Sequence, residues 1–174
     1  MKKSDQIQRS LSQATEQLLN KQVGVEGRSS AHYLAMASWC DTQGYKSAAA
    51  FLYHHAEEET QHMLKLFHYI NDAGGHALPP EITEIQHTFK SFRQVFELAC
   101  LHEAKVTQAI HQLVDHCLTV KDFATFNFLQ WFVAEQIEEE VLTRRALELF
   151  DVIGEEGIGH YTIDKELGAL TSNA

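Results

Sequence analysis

Proline is nearly missing: Pro79 and Pro80, side by side, are the only two in 174 residues. The residue that breaks helix interiors and sheet ladders is therefore absent from the long stretches on either side. Those stretches are rich in Ala, Leu, Glu, Gln and Lys, the residues that favour helix. An all-α fold is expected. Cysteine is scarce too, and Cys40, Cys100 and Cys117 show no CxxC spacing. That argues against a disulfide framework and fits small buried hydrophobes in a reducing compartment. Long apolar runs are missing, stretches such as residues 128–134 being far too short to cross a bilayer. Behind Lys2 and Lys3, residues 4–12 supply no apolar region of the kind a signal peptide needs. A cytoplasmic protein with no membrane partner is expected. Positive charge is in deficit, 14 basic against 24 acidic residues for a formal net charge of -10. That sign is wrong for a nucleic-acid footprint and suits the handling of cations.

What the chain does have is helical period. Its 44% hydrophobic content can bury one continuous core, so residues 1–174 are expected to form a single domain. Four periodic segments cover roughly 10–42, 45–73, 91–118 and 122–152. The turn at Asp41-Thr42-Gln43-Gly44 makes the first two antiparallel neighbours, and residues 118–122 do the same for the last two. Gly74-Gly75 ends the second segment, and the stretch from there to Lys90 can run the length of a bundle. Two hairpins joined by one long crossover follow. Beyond Gly154, Gly157 and Gly159, a short fifth helix is expected over 161–170.

Alternating steps of four and three give each segment an inward seam. The first reads Leu19, Val23, Glu26, Ser30, Tyr33, Ala37, Cys40, and the second Ala48, Leu52, His55, Glu59, His62, Leu66, Tyr69, Ala73. The third reads Phe92, Phe96, Ala99, Glu103, Val106, Ile110, Leu113, Cys117, and the fourth Leu129, Phe132, Gln136, Glu139, Thr143, Ala146, Phe150. Each apolar seam is interrupted near its middle by an acidic or other ligand-type residue. In an aligned bundle those interruptions meet at one level.

The spacing repeats. Glu59 follows Glu26 by 33 residues and Gln136 follows Glu103 by 33, while His62 and Glu139 each come three later. The two halves superpose with an offset of 77. Residues three apart share a helix face, so each pair can converge on one ion. Any one of these glutamates alone reads as a solvated helix face, and His62 alone as a core histidine with a partner. Four interrupted seams at one level read differently. Four buried carboxylates without cations would each face a desolvation penalty of several kcal/mol, and two divalent ions would neutralise them. Carboxylate and imidazole ligands without thiolate suit iron or manganese, whereas a structural zinc would be richer in Cys or His.

At these residues a family resemblance appears. The Glu26 to Tyr33 spacing, AAAFLYHHAEEETQH over 48–62, TFNFLQWFVAEQIEEE over 125–140 and YTIDKEL over 161–167 resemble the prokaryotic non-haem ferritins, the likeness running from Gln22 to Leu170. It implies a ferritin-like four-helix bundle that stores iron, oxidising Fe(II) with O2 or H2O2 at a di-iron centre inside each subunit of a 24-subunit cage. Carried over by position, Glu26, Glu59 and His62 resemble the first iron site, with Glu59 bridging. Glu103 and Glu139 complete the second, and Gln136 stands where related di-iron proteins carry another bridging carboxylate. Its neutral carbonyl binds a cation less strongly, so a looser second ion is expected. Glu58, Glu135 and Glu138, with Glu139 shared, match the acidic third site of bacterial members.

Tyr33 matches the family's tyrosine beside the metals, able to donate a hydrogen bond or an electron; a buried phenol with a partner fits equally well. Trp131 lies beside the same face, where it reads as core packing or as a further electron donor. Glu57 and Glu140 are expected to face solvent. His54, His55, His102, His111 and His116 are assigned no function. Two departures stand out: the N-terminal stretch runs longer than the usual family start, and Thr60 follows Glu59 where haem-bearing relatives use methionine, so no haem is expected. The rival reading is a di-iron oxidase acting on an organic substrate. Such enzymes tend to be longer and often carry two Glu-x-x-His units, whereas the second unit here is Gln-x-x-Glu. A purely structural bundle would leave the buried carboxylates unexplained, and the DNA-protecting miniature ferritins draw their ligands from two subunits.

Overall fold

The computed structural model describes residues 10–171, and no strand occurs among them. Five helices follow in order: α1 (Gln13–Gln43), α2 (Lys46–Asp72), α3 (Phe92–Val120), α4 (Phe123–Ile153) and α5 (Gly159–Thr171). Helix α1 packs along α2 and α3 along α4, while α5 sits across α2 and α4. All five lie within a few residues of the expected segments. The longer N-terminal stretch, residues 1–9, falls outside the described residues.

Local chemistry sets the boundaries. Ser12 is extended and its hydroxyl accepts the Thr15 N–H, so α1 starts at Gln13 rather than at residue 10. Ser91 and Asp122 cap α3 and α4 in the same way, accepting from Gln94 and Thr125. Gly44 closes α1 at φ 93, a left-handed conformation in which a Cβ is disfavoured. Tyr45, at the start of α2, offers no side-chain cap. That role falls to Asp164 of α5, whose carboxylate accepts the Ala48 N–H at 2.8 Å.

The crossover between α2 and α3 is fastened to α1. Asn20 donates to the His76 carbonyl and accepts from Leu78 N–H, and Glu16 accepts from His76 N–H. Farther along, the Pro80 ring comes so close to Gly27 that a Cβ there would stand 2.7 Å from it. Gly27 follows Glu26 directly, so the crossover is seated within one residue of the polar layer.

Burial divides the interior. One apolar cluster gathers Tyr33, Ala37, Leu52, Phe96 and Phe150 with Ile163 and Leu167 of α5; the other gathers Leu19, Val23, Leu66, Ile110, Leu129 and Phe132. Between them lies a belt of buried polar side chains that includes Glu26, Glu59, His62, Glu103, Gln136 and Glu139.

Candidate metal centre

Every helix of the bundle contributes to that belt at mid-length, which is the level the seam interruptions predicted. Glu26 is 1% exposed and Glu59 and Glu103 are 0% exposed, values that carboxylates reach only with strong compensation. Compensation from the protein is incomplete. Glu26 Oε1 accepts from Gln22 at 2.9 Å, but Glu26 Oε2, both oxygens of Glu59 and Oε2 of Glu139 are buried without a hydrogen-bond donor.

Three groups of ligand-type atoms lie within 4.8 Å of one another: Glu26, Glu59 and His62; His55, Glu58 and Glu139; and His62, Glu135 and Glu139. The first is the triad expected from the sequence. Glu103 joins none of the three. Its Oε1 accepts the Tyr33 hydroxyl at 2.5 Å and its Oε2 accepts the Gln136 amide at 3.2 Å. The Gln136 nitrogen thus faces Glu103 as a donor, whereas from the sequence its carbonyl is expected to serve as a weak ligand to the second ion.

Electrostatics follow the crowding. Burial, and then the charges of Glu26 and Glu103, push the Glu59 carboxyl well above the usual range. Burial raises Glu26 as well, and burial followed by the Glu139 charge raises Glu103 to about 7. Glu139 moves the other way: burial would raise it, but the nearby His55, with His62 and His54, outweighs burial and holds it low. His55 Nδ1 is 3.0 Å from Glu139 Oε2. The two are close enough to pair by charge, yet neither atom completes a hydrogen bond. The belt is a pocket of negative charge short of counter-charge, and the missing positive charge matches divalent cations. The donor set is oxygen with imidazole and no thiolate, which fits iron.

Several side chains depart from the sequence expectation. His55, given no role, is 1% exposed, stacked on Tyr33 at 5.3 Å and joined to Glu58 and Glu139. Its position on the inward seam four residues before Glu59 was the signal that could have found it. Glu138 is exposed and belongs to none of the three groups, so Glu58 meets His55 and Glu139 instead of an all-carboxylate set. Glu140 is half-buried rather than solvent-facing and accepts the Thr107 hydroxyl at 2.6 Å. Trp131 is 37% exposed, edge-on to His62 at 5.3 Å, with the Lys65 ammonium 3.9 Å above its ring. It is a rim residue, not core.

A bundle with one long crossover and a carboxylate–imidazole belt at mid-height defines a ferritin-like protein. The ferritin-like domain family matches residues 16–153, and the chain belongs to that family. Within it, the chain is 44% identical over 164 residues to a probable bacterial non-haem ferritin-like protein of Haemophilus influenzae, covering 94% of this chain and 99% of that one. It is 43% identical over 155 residues to the bacterial non-haem ferritin of Campylobacter jejuni, covering 89% and 93%. Among solved structures, the open-pore ferritin of the archaeon Archaeoglobus fulgidus superposes with a TM-score of 0.89 at 37% identity, over 92% of this chain and 98% of that one.

Proposed function

We propose that this ferritin stores iron by oxidising Fe(II) at two adjacent sites within each subunit and passing the ferric product to a mineral. Glu26, Glu59 and His62 hold the first ion; Glu59, with Glu103 and Glu139, holds the second. A third position beside them is offered by Glu58, Glu135 and Glu139, with His55 and His62 as the imidazoles nearest to it. Each Fe(II) gives up one electron. The pair passes to O2, which takes up two protons and leaves as H2O2, or to H2O2, which takes up two protons and leaves as two waters. Tyr33, hydrogen-bonded to Glu103, orients that carboxylate and stands next to the electron path.

The observation that carries the reading is the set of buried carboxylate oxygens with no donor, four of them at one level of the bundle. An organic-substrate oxidase would share the metals, but the relatives that match nearly end to end are ferritins or ferritin-like proteins. Assembly into a 24-subunit cage in the cytoplasm, without haem, completes the proposal. No described helix is long and apolar enough to cross a membrane. Sizing chromatography joined to stopped-flow Fe(II) titration tests it. A hollow assembly should oxidise about two Fe(II) per subunit in a fast phase and continue more slowly into mineral. A single slow phase matching autoxidation in buffer would refute it.

A further inference from the structure

Gln136 sits at the centre of a four-residue hydrogen-bond chain whose direction can be worked out from proton counts. At one end, the Thr107 hydroxyl donates to Glu140 Oε1 at 2.6 Å. A carboxylate has only lone pairs to offer, so the single hydroxyl proton is committed there. Thr107 Oγ1 must therefore accept at its other side, and the Gln136 amide nitrogen lies 3.2 Å away. The same nitrogen is 3.2 Å from Glu103 Oε2. Both amide protons are thereby used, one on each neighbour. Turning the amide over would set its carbonyl against Thr107 Oγ1, whose proton is already given to Glu140, and against a Glu103 oxygen that, in the ionised form a cation needs, has no proton to give. Glu140 fixes Thr107, Thr107 fixes the amide, and the amide faces Glu103 as a donor.

The consequence falls on Glu103. Each of its oxygens now accepts a hydrogen bond, one from Tyr33 and one from Gln136, and each such bond draws off electron density that a cation would otherwise receive. Glu59, by contrast, has both oxygens free of donors. We propose that Thr107 and Glu140 act as a polarity lock that holds Gln136 as a hydrogen-bond donor to Glu103 and so keeps the second iron position weak and exchangeable. Thr107 and Glu140 are positioning residues; neither needs to touch the ion. The proposal rests on the two-site ferroxidase reading above.

The test is anaerobic Co(II) titration of the assembled protein, followed by calorimetry and by the visible absorption of bound Co(II). Wild type should show a tight class and a weak class of site. Thr107→Val keeps the shape and removes the hydroxyl, which releases the amide. The weak class should tighten about fivefold or more, equivalent to roughly 1 kcal/mol or one ordinary hydrogen bond, with the tight class unchanged. Glu140→Leu should do the same by another route, because Thr107 can then turn its proton toward the Gln136 carbonyl and expose the flipped amide oxygen to the ion. Thr107→Ser should restore wild-type binding, which a mere packing role for the threonine methyl would not allow. A weak class unmoved in both Thr107→Val and Glu140→Leu, or a Ser variant that behaves like Val, would overturn the lock. Wild-type protein that bound no Co(II) would instead overturn the ferroxidase reading itself.

Discussion

Glu59→Gln should make the metal-free protein more stable while abolishing its response to metal. Glu59 is fully buried, neither oxygen has a donor, and burial with two neighbouring carboxylates resists its ionisation. A buried polar group left unsatisfied costs about 1–3 kcal/mol. The amide removes the ionisable group, keeps the shape and supplies N–H donors beside Glu26, whose Oε2 lacks one. Relief of one penalty and a new bond to a charged acceptor together give about 2–4 kcal/mol. For a chain of this size that is a rise in Tm of roughly 5–15 °C.

The pH dependence has a definite sign. Glu59, Glu26 and Glu103 all have folded pKa values raised above the ordinary 4.5. Their burden on wild type is absent below that value, grows as pH rises, and is complete once pH passes the folded values, about 7 for Glu103. The advantage of Glu59→Gln should therefore be small near about pH 4.5 and grow as pH rises toward and past neutrality. Scanning calorimetry of metal-free protein, with assembly checked by sizing, measures both. Adding Zn(II) at about 100 times its Kd should raise wild type by about 2.7 kcal/mol and leave the variant nearly unmoved. A metal-free variant that melts at or below wild type near neutral pH would refute the reasoning.

Two further outcomes concern other parts of the molecule. His55→Leu should leave two metal ions per subunit bound and remove the third, and Glu139 should take up a proton at higher pH, since His55 is what holds it low; metal titration that shows loss of the first two sites would count against this. Asp164→Ala should lower stability by about 1 kcal/mol through the lost cap on α2 and speed hydrogen exchange at the Ala48 amide, with Asp164→Asn largely restoring both. An Asn variant indistinguishable from Ala would show that the contact carries nothing.

Much of the centre is legible in the sequence because helical period reports which side of its own axis a residue occupies. Glu26, Glu59, His62, Glu103, Gln136 and Glu139 interrupt otherwise apolar seams, and all six are buried at one level. The same signal says nothing about partners on other helices. The sequence assigns Glu138 to the third site and Glu140 to solvent, yet Glu138 is exposed and Glu140 turns toward α3 to meet Thr107. His55 was on the seam, but only its neighbours across the bundle separate a core imidazole from one paired with Glu139. The orientation of the Gln136 amide depends on three residues from two helices, so no spacing rule could supply it. Caps were partly visible: Ser12, Ser91 and Asp122 are local to their helices, whereas the cap on α2 comes from far along the chain.

That distant cap bears on how the protein is born. Ala48 and Asp164 are separated by 116 residues, so on a ribosome adding roughly 5–20 residues per second the first turn of α2 waits on the order of ten seconds for its partner to be made. Until then the hairpin of α1 and α2 is a nascent structure with a frayed end, and the apolar surfaces of Ile163 and Leu167 have not yet arrived to close that end of the core. A segment made late thus seals a helix made early, and the α1–α2 hairpin cannot close that end of its core until α5 reaches it.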